Sequence, residues 1–324
     1  MSDLDTHPAE VTCDGHGGDG TARGTVLTAR EVPLGGPRAM TVRRTLPQRA
    51  QSLIGAWCFV DHYGPDQVAS TGGMRVDGHP HTGLQTVSWL FRGEIEHHDT
   101  TGAHAMVRPG ELNLMTAGSG IAHSEHSTPG TETLHGVQLW VALPEHDRFT
   151  EPRFEHHAPE PVEHRGARIL VFLGQVAGQR SPISTHTPLL GAEVTLPAGG
   201  DLDLDVDPSF EHGVLVDTGT ITAAGCRAEP GQLVHQETGA HRLHLSADPG
   251  TDARLVVLGG EPLDERIVMW WHFVGRSHDE IAEFREQWQR QRDGAAGRFG
   301  VFPSSWQHTL PAPELPNARL RPRS

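Results

Sequence analysis

Short apolar and alternating runs recur along the chain and predict β-strands of ordinary length. In the first half these runs are residues 39–44, 56–60, 86–91 and 136–143. In the second half they are residues 168–173, 192–196, 213–217 and 254–259. Turn sequences such as Arg92-Gly93 and Pro109-Gly110 separate them. Strands at this spacing indicate an all-β barrel or sandwich in each half of the chain.

One segment near the end has the period of a helix. Ile281, Phe284 and Trp288 repeat at intervals of three and four residues. Ser277, followed three residues later by Glu280, has the pattern of a capping box at a helix start. The sequence therefore predicts one docked helix over residues 278–292.

The order of these elements predicts two β domains with a tail at each end, and 324 residues suffice for a core in both. The expected parts are a disordered N-terminal tail at 1–24, a first domain at 25–145, a charged linker with several prolines at 146–165, a second domain at 166–300 that includes the helix, and a Pro-rich tail at 301–324. The last tail either wraps over the first domain or stays mobile.

Composition excludes two classes of partner. The chain has 41 acidic residues against 26 basic ones, all of them Arg, and a formal net charge of −15. Nucleic acids and anionic membranes both require clustered positive charge, so neither is an expected direct partner. No apolar run is long enough to span a bilayer. Cys13, Cys58 and Cys226 form no CxxC pair. A cytoplasmic protein is predicted.

Two clusters of metal-binding side chains stand out in the first domain. His79-Pro80-His81 and His123-Ser124-Glu125 each place two donors at positions i and i+2, which point to one face of a strand. Two neighbouring strands could thus aim three imidazoles and one carboxylate at a single ion. Such donors suit a divalent transition metal, whereas calcium and magnesium prefer oxygen ligands. The donors alone leave Fe(II), Mn, Ni, Co, Cu and Zn open.

The other histidines need a different interpretation, because a lone HxH pair is more often two polar strand residues and this chain has 23 His. His97 and His98 are interpreted as surface residues, and His62 as a buried hydrogen-bonding partner. The second domain has four further histidines that do not form two such clusters, so no metal is expected there. They are His212, His235, His241 and His244.

The residues around the two clusters resemble the signature of the pirin family, a branch of the cupin superfamily. The similar segments are residues 61–65, 79–87, 91–97 and 115–125. The resemblance extends from about residue 41 to about residue 300. It implies a bicupin, with two jelly-roll-like β-barrel domains and a C-terminal helix. Gln85 departs from the pattern, since many members have Glu there. A neutral amide is neither an anionic ligand nor a base, so no fifth protein ligand is expected.

The resemblance also implies an activity. Bacterial proteins of this type are associated with quercetin 2,3-dioxygenase activity, in which dioxygen opens a flavonol such as quercetin. One ion, expected to be Fe(II), would be held by His79, His81, His123 and Glu125, and the substrates would be a polyphenol and dioxygen. Glu125 is the candidate catalytic base for the flavonol 3-hydroxyl.

Two alternatives stay open at this point. The first is a non-catalytic, metal-binding regulatory or redox-sensing protein that acts through protein partners, because pirins are also linked to transcription cofactor roles. The second is an oxidase or dioxygenase with a different substrate. A monomer is expected in either case.

Overall fold

A computed structural model describes residues 10–12, 24–33, 40–293 and 295–323, and most of these lie in β-strands. The first elements are β1 (Glu10–Thr12), β2 (Gly24–Thr28), β3 (Arg30–Pro33), β4 (Thr41–Leu46), β5 (Trp57–Gln67), α1 (Val68–Thr71), β6 (Arg75–His81), β7 (Leu84–Arg92), β8 (Ile95–Asp99), β9 (His104–Val107), β10 (Leu112–Thr116), β11 (Ile121–Ser127), β12 (Thr133–Ala142) and β13 (Arg153–His157).

The remaining elements are β14 (Val162–His164), β15 (Ala167–Leu173), β16 (Gln175–Val176), β17 (Gln179–Arg180), β18 (Leu189–Leu196), β19 (Asp201–Asp205), β20 (Glu211–Thr218), β21 (Ile221–Ala223), β22 (Cys226–Ala228), β23 (Gln232–Gln236), β24 (Arg242–Ala247), β25 (Ala253–Gly260), β26 (Val268–Trp270), β27 (Phe273–Gly275) and α2 (His278–Arg292). The all-β prediction, with one long helix near the end, is confirmed.

The first barrel consists of two sheets. A seven-stranded sheet has the order β13-β10-β7-β12-β5-β4-β3, and a four-stranded sheet has the order β6-β11-β8-β9. Side chains from both sheets share one core, in which Val42 and Leu90 of the larger sheet lie with Val76 and Ile95 of the smaller one. The inward positions of the smaller sheet therefore face an interior that the larger sheet closes.

The second barrel repeats this plan with an eight-stranded sheet, β1-β2-β23-β20-β25-β18-β15-β14, and a four-stranded sheet, β19-β24-β21-β22. The larger sheets of the two barrels share an apolar core that contains Trp57, Trp89, Phe172 and Leu258. Trp57 Nε1 donates a hydrogen bond to Gly259 O at 3.0 Å, so the indole links the two barrels by a hydrogen bond as well as by packing.

Two strands, β2 and β13, belong to other parts of the fold than the predicted domain boundaries imply. The boundaries place residues 25–28 in the first domain and residues 146–165 in a linker. In the structure β2 pairs antiparallel with β23 of the second barrel, and β13 pairs antiparallel with β10 of the first. Local composition does not reveal which distant strand an edge strand will join, because sheet pairing is set by non-local hydrogen bonds. The predicted N-terminal tail lies outside the described residues apart from β1 and Gly24.

The helix α2 begins as the sequence predicts. Ser277 Oγ accepts a hydrogen bond from the Glu280 backbone N–H at 3.2 Å. Glu280 Oε2 accepts from the backbone N–H of Arg276 at 2.6 Å, one residue before the position that a capping box normally satisfies. Ile281 and Phe284 lie on the buried face of the helix.

The C-terminal segment packs over the first barrel, which is one of the two alternatives that the sequence leaves open. Leu310 N donates to Gly78 O at 2.8 Å, and Leu310 O accepts from Trp288 Nε1 at 2.9 Å. Further along, the backbone of Arg323 pairs with that of Ile267. The segment is thus tied to α2 and to the strand that carries the first cluster.

Two features bear on the predicted compartment. Within the ranges given above, no helix combines the length and the apolar character needed to cross a bilayer. Cys58 is a free, buried thiol, and burial raises its pKa to about 12. Cys226 is disulfide-bonded, so the cysteines give no support for a reducing compartment, and the cytoplasmic location stays a prediction.

Candidate metal centre

Neighbouring strands bring the two predicted clusters together. β6 and β11 are antiparallel, and His79 lies directly opposite His123. One ring nitrogen each of His79, His81 and His123 lies within 4.8 Å of the other two, and Nε2 of His81 is 3.1 Å from Nε2 of His123. The register of the two strands shifts between His123 and Glu125, with the extra residue in β6. Glu125 comes within the same 4.8 Å limit of His123 and His97.

These side chains meet the chemical needs of a divalent transition ion. Burial lowers the pKa of His79 to about 4 and holds the pKa values of His81 and His123 well below the usual range. The three imidazoles are therefore neutral at pH 7, the form that binds a metal. His79 Nδ1 donates to Asp77 O at 2.9 Å, which leaves its Nε2 lone pair for an ion. His79, His81, His123 and Glu125 are called the donor set below.

Glu125 adds the acidic oxygen of the donor set. Its side chain is buried, and burial raises the pKa of the carboxyl group. Ser88 Oγ lies 3.2 Å from Glu125 Oε1 and 3.0 Å from Gln138 Oε1. Among the described residues, the hydrogen bonding of Glu125 involves Oε1 alone, so its second oxygen is available to an ion or to a ligand.

A second layer of side chains, which the sequence interpretation missed, supports His123. Nδ1 of His97 lies 3.3 Å from Nδ1 of His123, and Nε2 of His97 lies 3.0 Å from Asp99 Oδ2. Because the carboxylate accepts from His97 Nε2–H, His97 Nδ1 can accept from His123 Nδ1–H. The lone pair of His123 Nε2, which lies 3.1 Å from His81 Nε2, is then available to an ion. Such an arrangement is how proteins orient metal-binding imidazoles.

The interpretation of His97 as a surface residue is therefore wrong. Its side chain is 2% exposed, whereas His98 is half-buried and lies 3.2 Å from Glu96 Oε1. Side chains alternate along β8, and inward Ile95 sets the phase: His97 and Asp99 follow it inward, and His98 points outward. The apolar residue that opens this strand was the signal that could have identified His97.

Asp99→Asn is expected to weaken metal binding by about 10- to 100-fold, because the amide no longer fixes the His97 ring that orients His123. Competition with a chromophoric chelator measures the dissociation constant. Asp203→Asn is the matched control, since Asp203 Oδ1 lies 2.9 Å from His244 Nδ1 at the surface of the second barrel. Equal affinity for the metal in the Asp99 variant and in wild type would contradict the orienting role.

The donor set opens into a cavity of about 490 Å³ with aromatic walls. Phe59 and Trp140 stack at 4.0 Å between ring centroids on one side, and Trp270 and Trp271 line another. Tyr63, the only tyrosine of the chain, also lines the cavity. This volume falls within the range of small-molecule sites, and the apolar lining suits a planar aromatic ligand.

The last two polar positions that the sequence singles out in the first domain do not line this cavity. Gln85 is buried in β7 and donates from Nε2 to Thr116 Oγ1 at 2.9 Å. His62 is fully buried, and its Nε2 lies 2.7 Å from Asp217 Oδ1. The prediction that His62 is a buried hydrogen-bonding partner is confirmed.

Asp217 of the second barrel is the centre of a polar cluster between the two barrels. Its Oδ1 lies 2.7 Å from His62 and 2.5 Å from His135 Nε2, and its Oδ2 lies 2.6 Å from Arg254 Nε. Burial alone would raise the pKa of Asp217, but the hydrogen bonds with His135 and His62 outweigh it, and the pKa lies well below the usual value. The Arg254 guanidinium at the same carboxylate favours an ion pair here over a bound cation.

The four histidines of the second barrel are dispersed. His212 and His235 are buried, and His241 and His244 are exposed. His235 Nε2 is 3.7 Å from Glu211 Oε1. In the part of the chain that the structure describes, none of these four belongs to a group of three possible metal donors.

Comparison with known proteins gives matches over most of the chain. The Pirin family matches residues 39–141, and the Pirin C-terminal cupin domain matches residues 191–294. A Pseudomonas aeruginosa protein named "Putative quercetin 2,3-dioxygenase" is 41% identical over 291 residues, which cover 90% of this chain and 90% of that protein. A pirin-like protein of Caulobacter vibrioides is 32% identical over 298 residues, or 89% of this chain and 99% of that protein.

A solved structure is also similar. The crystal structure of quercetin 2,3-dioxygenase from Acinetobacter baumannii aligns with a TM-score of 0.84 and 36% sequence identity. The alignment covers 92% of this chain and 97% of that one.

Proposed function

This chain belongs to the pirin family, and on that premise we propose that it is a metal-dependent dioxygenase that opens a flavonol such as quercetin with dioxygen. Its two barrels are cupin domains, which confirms the predicted bicupin fold. The relatives named for quercetin 2,3-dioxygenase activity match nearly the whole chain, so the proposed activity concerns both barrels and the C-terminal segment.

The observation that carries this proposal is the donor set inside an aromatic cavity. The three neutral imidazoles lie within 4.8 Å of one another and the Glu125 carboxylate lies within that distance of His123, which supports a single divalent transition ion. For this ion we propose Fe(II), with Mn, Ni, Co, Cu and Zn as alternatives. The cavity of about 490 Å³ is large enough for a flavonol, and stacked Phe59 and Trp140 offer an aromatic wall for its planar rings.

The donor set, Glu125 and the aromatic walls have separate roles in the proposed reaction. An ion bound to the donor set would supply Lewis-acid activation of the substrate and a route for electron density to dioxygen. The second oxygen of Glu125 takes the proton of the flavonol 3-hydroxyl, while Ser88 hydrogen-bonds its first oxygen. The aromatic walls hold the ring plane and exclude water. Both atoms of dioxygen enter the product as the central ring opens, and carbon monoxide leaves.

The test is consumption of oxygen by metal-loaded protein in the presence of quercetin. We expect the flavonol absorbance to disappear as dioxygen is consumed and carbon monoxide is released in equal amounts. Chelator-treated protein and the free metal salt are the controls, and elemental analysis of the purified protein identifies its metal. Fully loaded protein that leaves the flavonol spectrum unchanged under air would favour the non-catalytic, partner-binding alternative.

A further inference from the structure

The turn between β26 and β27 brings one more imidazole to the cavity, from the far end of the chain. The ring centroid of His272 lies 4.6 Å from that of His79 and 5.2 Å from that of His81. Trp271 stacks on the His272 ring at 4.3 Å with an angle of 21° between the planes, and its own backbone has a φ of 52°. The turn thus holds the His272 ring beside the donor set.

His272 is not placed to be a member of that donor set. Each member of the donor set belongs to at least one group of possible metal donors that lie within 4.8 Å of one another, and His272 belongs to none among the described residues. It lines the same cavity from the turn between β26 and β27, whereas strands β6 and β11 carry the donor set. Its position suits a contact with a ligand in the cavity.

Two polar atoms beside the cavity lack the partners that buried polar atoms normally have. Nδ1 of His272 is shielded from solvent and has no hydrogen-bond partner among the described residues, and the same holds for Tyr63 Oη. A buried polar group without a hydrogen-bond partner destabilises the protein. Both residues line the cavity, one from the C-terminal hairpin and one from β5. Both atoms are closed off from the cavity as the side chains stand, so a hydroxyl group of a ligand would reach them only after the side chains turn. His272 as a whole is partly exposed and lines the cavity, so its ring can be contacted there.

We propose that His272 contacts the substrate, with a ring nitrogen hydrogen-bonded to a hydroxyl group of a planar, hydroxylated aromatic ligand bound beside the donor set. This inference takes its ligand class from the proposed function. The His272 contact selects ligands that carry a free hydroxyl group next to the one that reaches the donor set, and Trp270 and Trp271 supply the surrounding aromatic surface.

The experiment uses 4-nitrocatechol as the probe, with nickel-loaded full-length protein under anaerobic conditions. The absorbance of the probe reports its binding. His272→Phe is expected to weaken binding about tenfold, the loss of one hydrogen bond to a buried partner. His272→Gln, whose amide can replace a ring nitrogen in a hydrogen bond to the probe, is expected to recover part of this loss. His244→Phe, a change of the same type at the exposed His244 of the second barrel, should bind as wild type does.

Two further readouts separate this role from a structural one. The nickel content of His272→Phe is expected to equal that of wild type, since His272 is not a metal ligand. For 4-nitroguaiacol, in which a methyl group blocks one of the two hydroxyls, wild type and His272→Phe should bind with equal affinity. A loss that is the same for both probes, or that follows a loss of nickel, overturns the proposal.

The outcome can be distinguished from failure of the proposed function. Binding of 4-nitrocatechol requires neither dioxygen nor turnover of a flavonol. If quercetin is not converted but the His272-dependent difference between the two probes is found, the dioxygenase proposal fails and the His272 contact stands. If wild type does not bind 4-nitrocatechol, or if His272→Phe binds it with wild-type affinity, the His272 contact is rejected whatever the activity.

Discussion

Glu125→Gln is expected to lower quercetin turnover by about 10²- to 10⁴-fold while most of the metal stays bound. The amide has nearly the same shape as the carboxylate but cannot accept the proton of the flavonol hydroxyl, and general-base catalysis contributes about this factor. His79, His81 and His123 remain to hold the ion. Steady-state kinetics give the change in kcat, and elemental analysis of the same preparation gives the bound metal.

A second buried carboxylate provides the control for this substitution. Glu193 accepts a hydrogen bond from Trp89 Nε1 at 2.7 Å in the second barrel, and burial raises its pKa as it does that of Glu125. Glu193 does not line the cavity, so Glu193→Gln should retain turnover. If Glu125→Gln loses turnover only in proportion to lost metal, Glu125 is a ligand without a role as base.

Asp217→Asn is expected to destabilise the protein by about 3 kcal/mol, because it removes a buried negative charge that side chains of both barrels contact. His62, His135 and Arg254 all contact this carboxylate, and the variant leaves the Arg254 guanidinium without its counter-charge. Urea-induced unfolding of wild type and variant at pH 7 measures the difference. Asp203→Asn, which breaks a surface contact with His244, should leave the unfolding midpoint nearly unchanged.

The effect of Asp217 also has a defined dependence on pH. The pKa of Asp217 is lower in the folded protein than in the unfolded chain, where it is about 3.9. The stabilisation is therefore complete above about pH 4 and decreases as the pH falls further. The difference between wild type and Asp217→Asn should be constant between pH 7 and pH 8, where the histidines of the unfolded chain are largely neutral. A difference that disappears within that range would show that the histidines, and not the carboxylate, control the cluster.

The sequence could predict those parts of the site that depend only on the alternation of side chains between the two faces of a strand. His79 and His81, and likewise His123 and Glu125, are two residues apart, so a strand places each pair on one face whatever the rest of the fold does. The same argument applied to residues 95–99 would have placed His97 inside. The surface interpretation is wrong because it assigns both neighbouring histidines to solvent, although neighbouring strand positions face opposite sides.

Other parts of the site depend on contacts between distant segments, which periodicity does not encode. His272 reaches the cavity because the hairpin of β26 and β27 folds back over the first barrel, where Thr82 forms a bridge with Phe273. Asp217 lies beside His62 only once the two barrels pack together. Neither residue stands in a recognisable motif, so only the three-dimensional structure connects them with the site.

The pairing of β2 with β23 has a consequence for folding during synthesis. β2 precedes the whole first barrel in the chain, yet its partner strand is among the last parts of the second barrel to leave the ribosome. In the nascent chain, β2 (Gly24–Thr28) can pair with β1, but its other edge stays unpaired while the first barrel forms from its own strands. An exposed strand of this kind invites pairing with other chains. Slow translation of the second half should thus increase aggregation of newly made protein.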